Sequence, residues 1–431
     1  MAPSSPFAYP PFRAFWAARF AATLGSMMLV IVIGWQVYDI ARQTMTPQRA
    51  AFLLGMVGLA QFLPLFGLTL VVGHVADRVD RRHIARAALG LELLCAALLA
   101  GLGLAHAITL PWLFTVASLL GVGRAFAGPS LSALAPNLVP RAVLPSAIAW
   151  NSISWQSGSV VGPPLGALLY AAAGASPYVA ATAMFAAALG ALFLIPPVPL
   201  PPRSDLSPYR SVVEGLGYVR RNRIVLGAIS LDLFAVLLGG ATAMLPIYAR
   251  DVLNVGVEGL GPLRAAPAFG AALTAALLAW RPLRSNVGLT MFAGVALFGA
   301  ATIVFGLSTN LILSLAALAV LGAADMISVY VRSSLIQLHT PDAMRGRVSA
   351  VSMLFISASN ELGEFESGLT AAWLGPVEAV VFGGIGAIVV TGLWMWGFPE
   401  LRTADRFVPP EEGSPAARET AKLIEQTEIT R

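Results

Sequence analysis

Gly121-Val-Gly-Arg124-Ala-Phe-Ala-Gly128, followed by Gly158-Ser-Val-Val-Gly162-Pro163-Pro164-Leu-Gly166, is the stretch that decides the fold, because its layout returns half a chain later. A shift of 201 residues carries Leu120 to Leu321, Gly121 to Gly322, Arg124 to Asp325, Pro140 to Pro341 and Gly162 to Gly363. Agreement at one unchanged offset predicts an internal duplication, and in membrane proteins a duplication of this length means two similar helical bundles with the ligand site at their interface. The two ionisable residues that coincide, Arg124 and Asp325, fall inside apolar runs, where charge is costly and usually functional.

Composition supports a membrane setting. Hydrophobic residues make up 57% of the 431 positions and charged residues 11%, against roughly 45–50% and about 25% in soluble domains. Apolar runs lie at 14–40, 51–73, 84–105, 109–130, 144–171 and 178–196, and again at 224–249, 260–280, 287–307, 311–338, 348–372 and 376–398. Each is long enough for a helix of about 20 residues. The expectation is an all-α integral membrane protein with twelve transmembrane helices in two pseudo-symmetric six-helix bundles. Residues 1–13 form a cytoplasmic N-terminal tail, 14–196 the first bundle, 197–223 a cytoplasmic linker, 224–398 the second bundle and 399–431 a cytoplasmic tail.

The net charge of +5 does not point to nucleic acid, because the arginines are scattered over short loops rather than gathered on one face. Fourteen arginines fall in the even-numbered loops and three in the odd-numbered ones (Arg42, Arg49 and Arg250 at a helix edge). That bias places both termini of a multi-pass membrane protein in the cytoplasm. One cysteine, Cys95, excludes an intrachain disulfide, and His74, His83, His106 and His339 lack metal-ligand spacing. No metal, cofactor, phosphate-binding loop or nucleophile elbow is expected, so the chain does not read as an enzyme. The expected partners are a small-molecule substrate and the lipid bilayer, with a monomer as the working state.

The loop after the second run reads Gly73-His-Val-Ala-Asp77-Arg78-Val-Asp80-Arg81-Arg82. Gly73 lets the chain turn tightly, and Asp77 is placed to pair with Arg81 four residues on. This stretch resembles the Gly-x-x-x-Asp-Arg-x-Gly-Arg-Arg signature of the major facilitator superfamily, with Asp80 where that pattern has glycine. The fourth run resembles the superfamily's arginine motif at Leu120, Arg124 and Gly128, with Ala127 where glutamine is common. The fifth resembles its antiporter motif at Gly158, Gly162, Pro163 and Gly166. The later segments Arg345-Gly-Arg-Val-Ser-Ala and Ser359-Asn-Glu361-Leu-Gly-Glu364-Phe-Glu366-Ser-Gly are similar to the bacterial secretion-effector branch, which contains the enterobactin exporter. The resemblance covers about residues 10 to 400.

What the resemblance implies is a secondary transporter working by alternating access, with its first, fourth, seventh and tenth helices lining the cavity. It further implies proton-coupled export of a small amphiphilic compound, such as a drug or siderophore, driven by the proton gradient. The rivals are a uniporter or importer without proton coupling, and a non-transporting membrane sensor. Gly73, Asp77, Arg78 and Arg81 would form a cytoplasmic gate.

Arg19, Glu92, Arg124, Asp232, Asp325, Glu361 and Glu364 lie within apolar runs. At roughly 3 kcal/mol each on insertion scales, seven unpaired charges facing lipid would cost about 20 kcal/mol, more than the ~5–15 kcal/mol that holds a typical fold. They must pair, neutralise or meet water. Arg124, Asp232, Asp325, Glu361 and Glu364 are therefore the candidates for proton or substrate coupling, each weighed against a fixed ion pair between helices. Glu92 reads as structural. Glu361 and Glu364 share a helix face, whereas Glu366 points elsewhere unless Gly363 breaks the helix.

Between the bundles, Pro196-Pro-Val-Pro-Leu-Pro-Pro202 cannot continue a helix. Ser207 and Pro208 then supply an N-cap and a first-turn proline. Tyr209, Val212, Val213, Leu216 and Val219 follow at helical spacing, which predicts an amphipathic helix on the cytoplasmic membrane surface.

Overall fold

The computed structural model describes residues 5–76, 79–140, 143–197 and 208–407. Its helices follow the apolar runs closely: α1 Pro10–Ala41, α2 Pro47–Ala76, α3 Arg81–Leu104, α4 Leu110–Leu134, α5 Leu144–Ala172 and α6 Ser176–Phe193. The linker contributes α7, Pro208–Arg221. The later half gives α8 Arg223–Leu238, α9 Leu245–Ile247, α10 Gly256–Trp280, α11 Val287–Leu307, α12 Leu311–Leu338, α13 Asp342–Leu374, α14 Pro376–Gly397 and the short α15 Pro399–Arg402. Among the described residues, ten spans are long and apolar enough to cross a membrane. Helices α5 and α13 lie outside that set because of composition: α5 carries Asn151, Ser152, Ser154, Gln156 and Ser157, and α13 carries Glu361, Glu364 and Glu366. At 29 and 33 residues they are long enough to span.

The seventh apolar run is not one helix. α8 stops at Leu238, Gly239 and Gly240 leave the helical ladder, and the chain continues as a 3-10 turn, α9 and a π-helical turn over Tyr248–Val252. Neighbouring backbone and side chains press on both glycines, because a Cβ on Gly239 would collide with the Phe298 ring and one on Gly240 with Ser367 Oγ. Hydropathy alone could not place this break.

The chain divides into two compact units. The first comprises Met1–Asp205, Thr242–Ala265 and Gly368–Pro376, the second Leu206–Ala241, Ala266–Ser367 and Val377–Arg431. In the first, α1 packs on α5 and α6, α4 on α2 and α3, and α3 on α6. The second is built around Leu231, Met291, Phe292, Val331, Leu335 and Ala387, contributed by α8, α11, α12 and α14.

The duplication is visible in the packing. A Cβ on Gly162 of α5 would lie 2.6 Å from Met27 Cβ and 3.0 Å from the Leu24 carbonyl oxygen on α1. Its repeat mate Gly363, on α13, meets the Val236 and Leu237 carbonyls of α8 at 3.0 and 3.2 Å. Likewise Gly121 of α4 lies against the Gln61 carbonyl of α2, and Gly322 of α12 against the Pro267 carbonyl of α10. At each site the absent side chain lets two backbones approach. Pro163 and Pro164 stay within one continuous α5.

Helix α7 forms as expected, but its buried face is not on lipid. Tyr218 and Val219 pack with Ile336, Met344, Val348 and Val351 from α12 and α13, the Tyr218 hydroxyl donates to the His339 carbonyl, and Glu214 pairs with Arg347 at 2.7 Å. The membrane-surface expectation is corrected to that extent: protein covers this stripe, while Val213 and Leu216 remain exposed. The Ser207 cap lies outside the described residues.

Candidate functional site

In the first unit the superfamily-like arginine is held from α2. Arg124 on α4 donates from Nη1 to Gln61 Oε1 at 2.8 Å. Gly121, one turn earlier, allows that approach by letting α4 sit on the Gln61 backbone. Gly123 does the same towards α3, where a Cβ would come within 2.9 Å of Glu92 Cγ. Glu92 is 3% exposed and lies within the electrostatic reach of Arg124. Glu92 is thus an acidic side chain near Arg124 within the first unit. The two aspartates considered with it belong to the second unit.

In the second unit α8 and α12 bring Asp232, Asp325 and Ser328 to one small cavity, also lined by Val295, Phe298 and Ala324. Its volume is about 10 Å³, close to the room one water molecule needs. Asp232 forms a buried ion pair with Arg332, two turns beyond Asp325 on α12. Asp325 makes no hydrogen bond or ion pair among the described residues, and the buried Ser328 hydroxyl is also unpartnered. The site therefore holds one neutralised carboxylate and one open carboxyl beside space for a water.

Arg332 escaped the sequence reading, as did Arg264, whose guanidinium donates to the Thr242 carbonyl. Both lie inside apolar runs, so the signal that found Arg124 was present for them too. Glu361 is buried and Glu364 partly so, on an unbroken α13; Gly363 between them serves close packing on α8 rather than a break.

The expected cytoplasmic gate is only partly described. Asp77 and Arg78 lie outside the described residues, as does the Asp77–Arg81 pairing, and Gly73 does not make the expected turn: α2 runs through it to Ala76, since a glycine permits a turn without requiring one. Arg81 donates to the Ala133 carbonyl at the end of α4. Asp80, which replaces the pattern's glycine, caps α3: its carboxylate accepts from the Arg82 amide at 2.9 Å and pairs with the Arg82 guanidinium at 2.6 Å. That pairing holds the Asp80 carboxyl below the usual carboxylate range. Arg82 and Arg86 also donate to the Ile195 and Leu192 carbonyls at the end of α6.

At the C-terminal end of α1 the first unit has a polar clasp that no motif or periodicity singles out. Asp251 Oδ2 accepts from the Tyr38 hydroxyl at 2.5 Å and from Arg42 Nε at 2.9 Å, and Arg250 Nη1 reaches Asp39 Oδ1 at 2.5 Å. The carboxylate keeps the Arg42 guanidinium protonated beyond its ordinary range. Gly368 fits against Gly55 and Gly261 against Pro164 on the same unit.

A helical membrane chain with an internal repeat and charged groups set inside its apolar helices is what a transporter of the major facilitator superfamily looks like. Comparison with known proteins agrees. The pattern of the transmembrane secretion effector family matches residues 1–410, and the chain belongs to that family. Its relatives include the enterobactin exporters of Citrobacter koseri, 28% identical with 94% of this chain and 96% of that protein covered, and of Escherichia coli O139:H28, 27% identical over 94% and 95%. Similar solved structures include a bacterial homologue of the human lysosomal transporter Spinster (TM-score 0.68, 15% identity, 96% and 98% covered). The xylose transporter of E. coli is another (TM-score 0.67, 15% identity, 96% and 99% covered). At such identities the structures speak for the fold alone.

Proposed function

We propose that this protein is a proton-coupled exporter of small amphiphilic compounds of the siderophore class, working by alternating access in the bacterial inner membrane with both termini in the cytoplasm. The substrate class rests on the full-length likeness to enterobactin exporters. The coupling rests on one observation: Asp325 is an unpartnered carboxyl facing a cavity of one-water size, while its neighbour Asp232 is neutralised by Arg332. A carboxyl so placed can exchange a proton with that water when the cavity changes shape, whereas a carboxylate in a fixed ion pair cannot do so without losing its partner. In this reading Asp325 carries the proton and Asp232 holds α8 to α12. Arg124 (tied to Gln61 and near Glu92 in the first unit) and, in the second unit, Glu361 and Glu364 serve as further coupling or positioning groups, and the Gly73-to-Arg81 segment gates the cytoplasmic side. No cofactor is required.

One proton entering across 100 mV supplies roughly 2.3 kcal/mol. At about 1.4 kcal/mol per factor of ten, that sustains an outward substrate gradient of around fifty-fold. The test is reconstitution of the purified chain in liposomes, with enterobactin flux followed with and without an imposed pH gradient. Acceleration by a gradient directed for exchange supports coupling; flux indifferent to the gradient removes the proton, and absence of flux removes export of this substrate.

A further inference from the structure

Four arginines lie deep in apolar runs: Arg19, Arg124, Arg264 and Arg332. Three are accounted for, by Gln61, the Thr242 carbonyl and Asp232. The guanidinium of Arg19 makes no hydrogen bond or ion pair among the described residues, and its Nε is buried without a partner. A cation left unmatched within a membrane helix is expensive and marks a site whose counter-charge arrives from outside the chain.

The surroundings narrow what arrives. Helices α1 and α5 run side by side in matched steps: Ser154 Oγ donates to the Trp16 carbonyl at 3.3 Å, and Gly158 is pressed on Thr23. Arg19 falls between these two rungs on α1, and the exposed Trp155 between them on α5. On one side is an aromatic patch in which Trp16 stacks on Phe20 with ring centroids 5.7 Å apart. Trp16 also meets Trp150 edge-on at 6.5 Å and donates its indole N–H to the Trp150 carbonyl. Two further buried polar atoms on α5, Asn151 Oδ1 and Ser159 Oγ, are likewise unpartnered. One helix pair thus gathers an unmatched cation, two unfilled hydrogen-bonding positions and a row of ring faces. Water alone would solvate the polar atoms but would leave the charge uncompensated.

We infer that the α1–α5 pair of the first unit binds the anionic group of an aryl-bearing substrate, with Arg19 as the counter-ion and the Trp16–Phe20 patch receiving the ring. This rests on the export reading above, which it deepens by naming the charge and the ring that the substrate carries. A guanidinium offers a planar fork of donors suited to a carboxylate or a similar oxyanion, and a flat ring gains from an offset aromatic neighbour.

The test uses the full-length chain in detergent, titrated calorimetrically with 1-naphthoate and with its uncharged counterpart 1-naphthalenemethanol. Wild type is expected to bind the anion about tenfold or more tightly than the alcohol, in line with a charge-assisted hydrogen bond. Arg19→Gln should abolish that preference by weakening the anion far more than the alcohol, and Arg19→Lys should retain part of it. Thermal unfolding of each variant is recorded alongside, and Arg19→Gln should melt no lower than wild type, since it removes an uncompensated charge. Equal affinities in wild type, no binding of either probe, or an anion preference that survives in Arg19→Gln would overturn the site. Enterobactin efflux by the wild-type chain in liposomes is measured separately: efflux without an Arg19-dependent anion preference leaves the export reading standing and sinks only the site.

Discussion

Asp232 and Arg332 face one another across α8 and α12 and neutralise each other out of contact with solvent. An intramembrane pair of this kind need not stabilise more than a well-packed apolar pair would, but removing one partner strands the other. Asp232→Ala should therefore destabilise the protein by about 3–5 kcal/mol. Asp232→Leu combined with Arg332→Leu should recover most of that loss, as read by thermal unfolding in detergent. A single variant as stable as wild type would mean the pair is not a structural tie.

Two turns before Arg332 on α12, Asp325 has no such partner among the described residues. Asp325→Asn keeps its shape and removes its charge cycle, so enterobactin binding should persist while pH-gradient-driven flux falls by at least tenfold. Preserved acceleration by the gradient in this variant would hand the coupling role to Glu361 or Glu364.

Asp80 combines a helix cap with an ion pair, and its carboxyl is held below the usual range by Arg82. Because the folded state favours the ionised form, this contribution is complete above the ordinary carboxylate pKa of about 4 and fades as pH falls through the lower folded-state value. Asp80→Asn can still cap α3 but cannot titrate, so it should lower the melting temperature at pH 7 and narrow the wild-type-to-variant gap towards pH 3. A gap unchanged between the two pH values would contradict this.

In the clasp Tyr38 is buried and the Arg42 and Asp251 side chains are 24% and 23% exposed, so each contact is worth about 1–2 kcal/mol. Asp251→Asn weakens two of these contacts. Amide exchange across residues 242–256 should then quicken by roughly tenfold, the factor that corresponds to about 1.4 kcal/mol, with little change in overall melting. Identical exchange in the variant would show that the clasp holds nothing.

Gly215 sits where a Cβ would come within 2.8 Å of the Arg347 carbonyl oxygen. Gly215→Val should lift α7 from α13 at a cost of about 1–3 kcal/mol and speed proteolysis of the linker. Cleavage at the wild-type rate would argue that α7 can shift without penalty.

The fold was readable because its signals are local or periodic. Apolar runs set the helices, and the offset that maps Gly121 on Gly322 and Gly162 on Gly363 announced the duplication, which the packing on α2, α10, α1 and α8 bears out. The site was less so. Arg332 stood in plain view within an apolar run, yet its partner lies 100 residues away, and no periodicity links α8 to α12. Asp39, Arg42 and Asp251 sit at helix ends, where a charge normally meets water and draws no notice. The need for glycine at 239 and 240 follows from the closeness of Phe298 and Ser367, which depends on where other helices lie. Asp80 was a departure from a motif until its neighbour's amide was placed beside it.

The glycine contacts of α5 with α1, and of α13 with α8, bring the helices so close that a single added carbon would meet backbone or Cβ atoms of the neighbour. Layers so thin behave as welded plates: they transmit force without absorbing it. Within the seventh run the ladder is already open at Gly239 and Gly240, so a change of angle there breaks fewer hydrogen bonds than one inside α8.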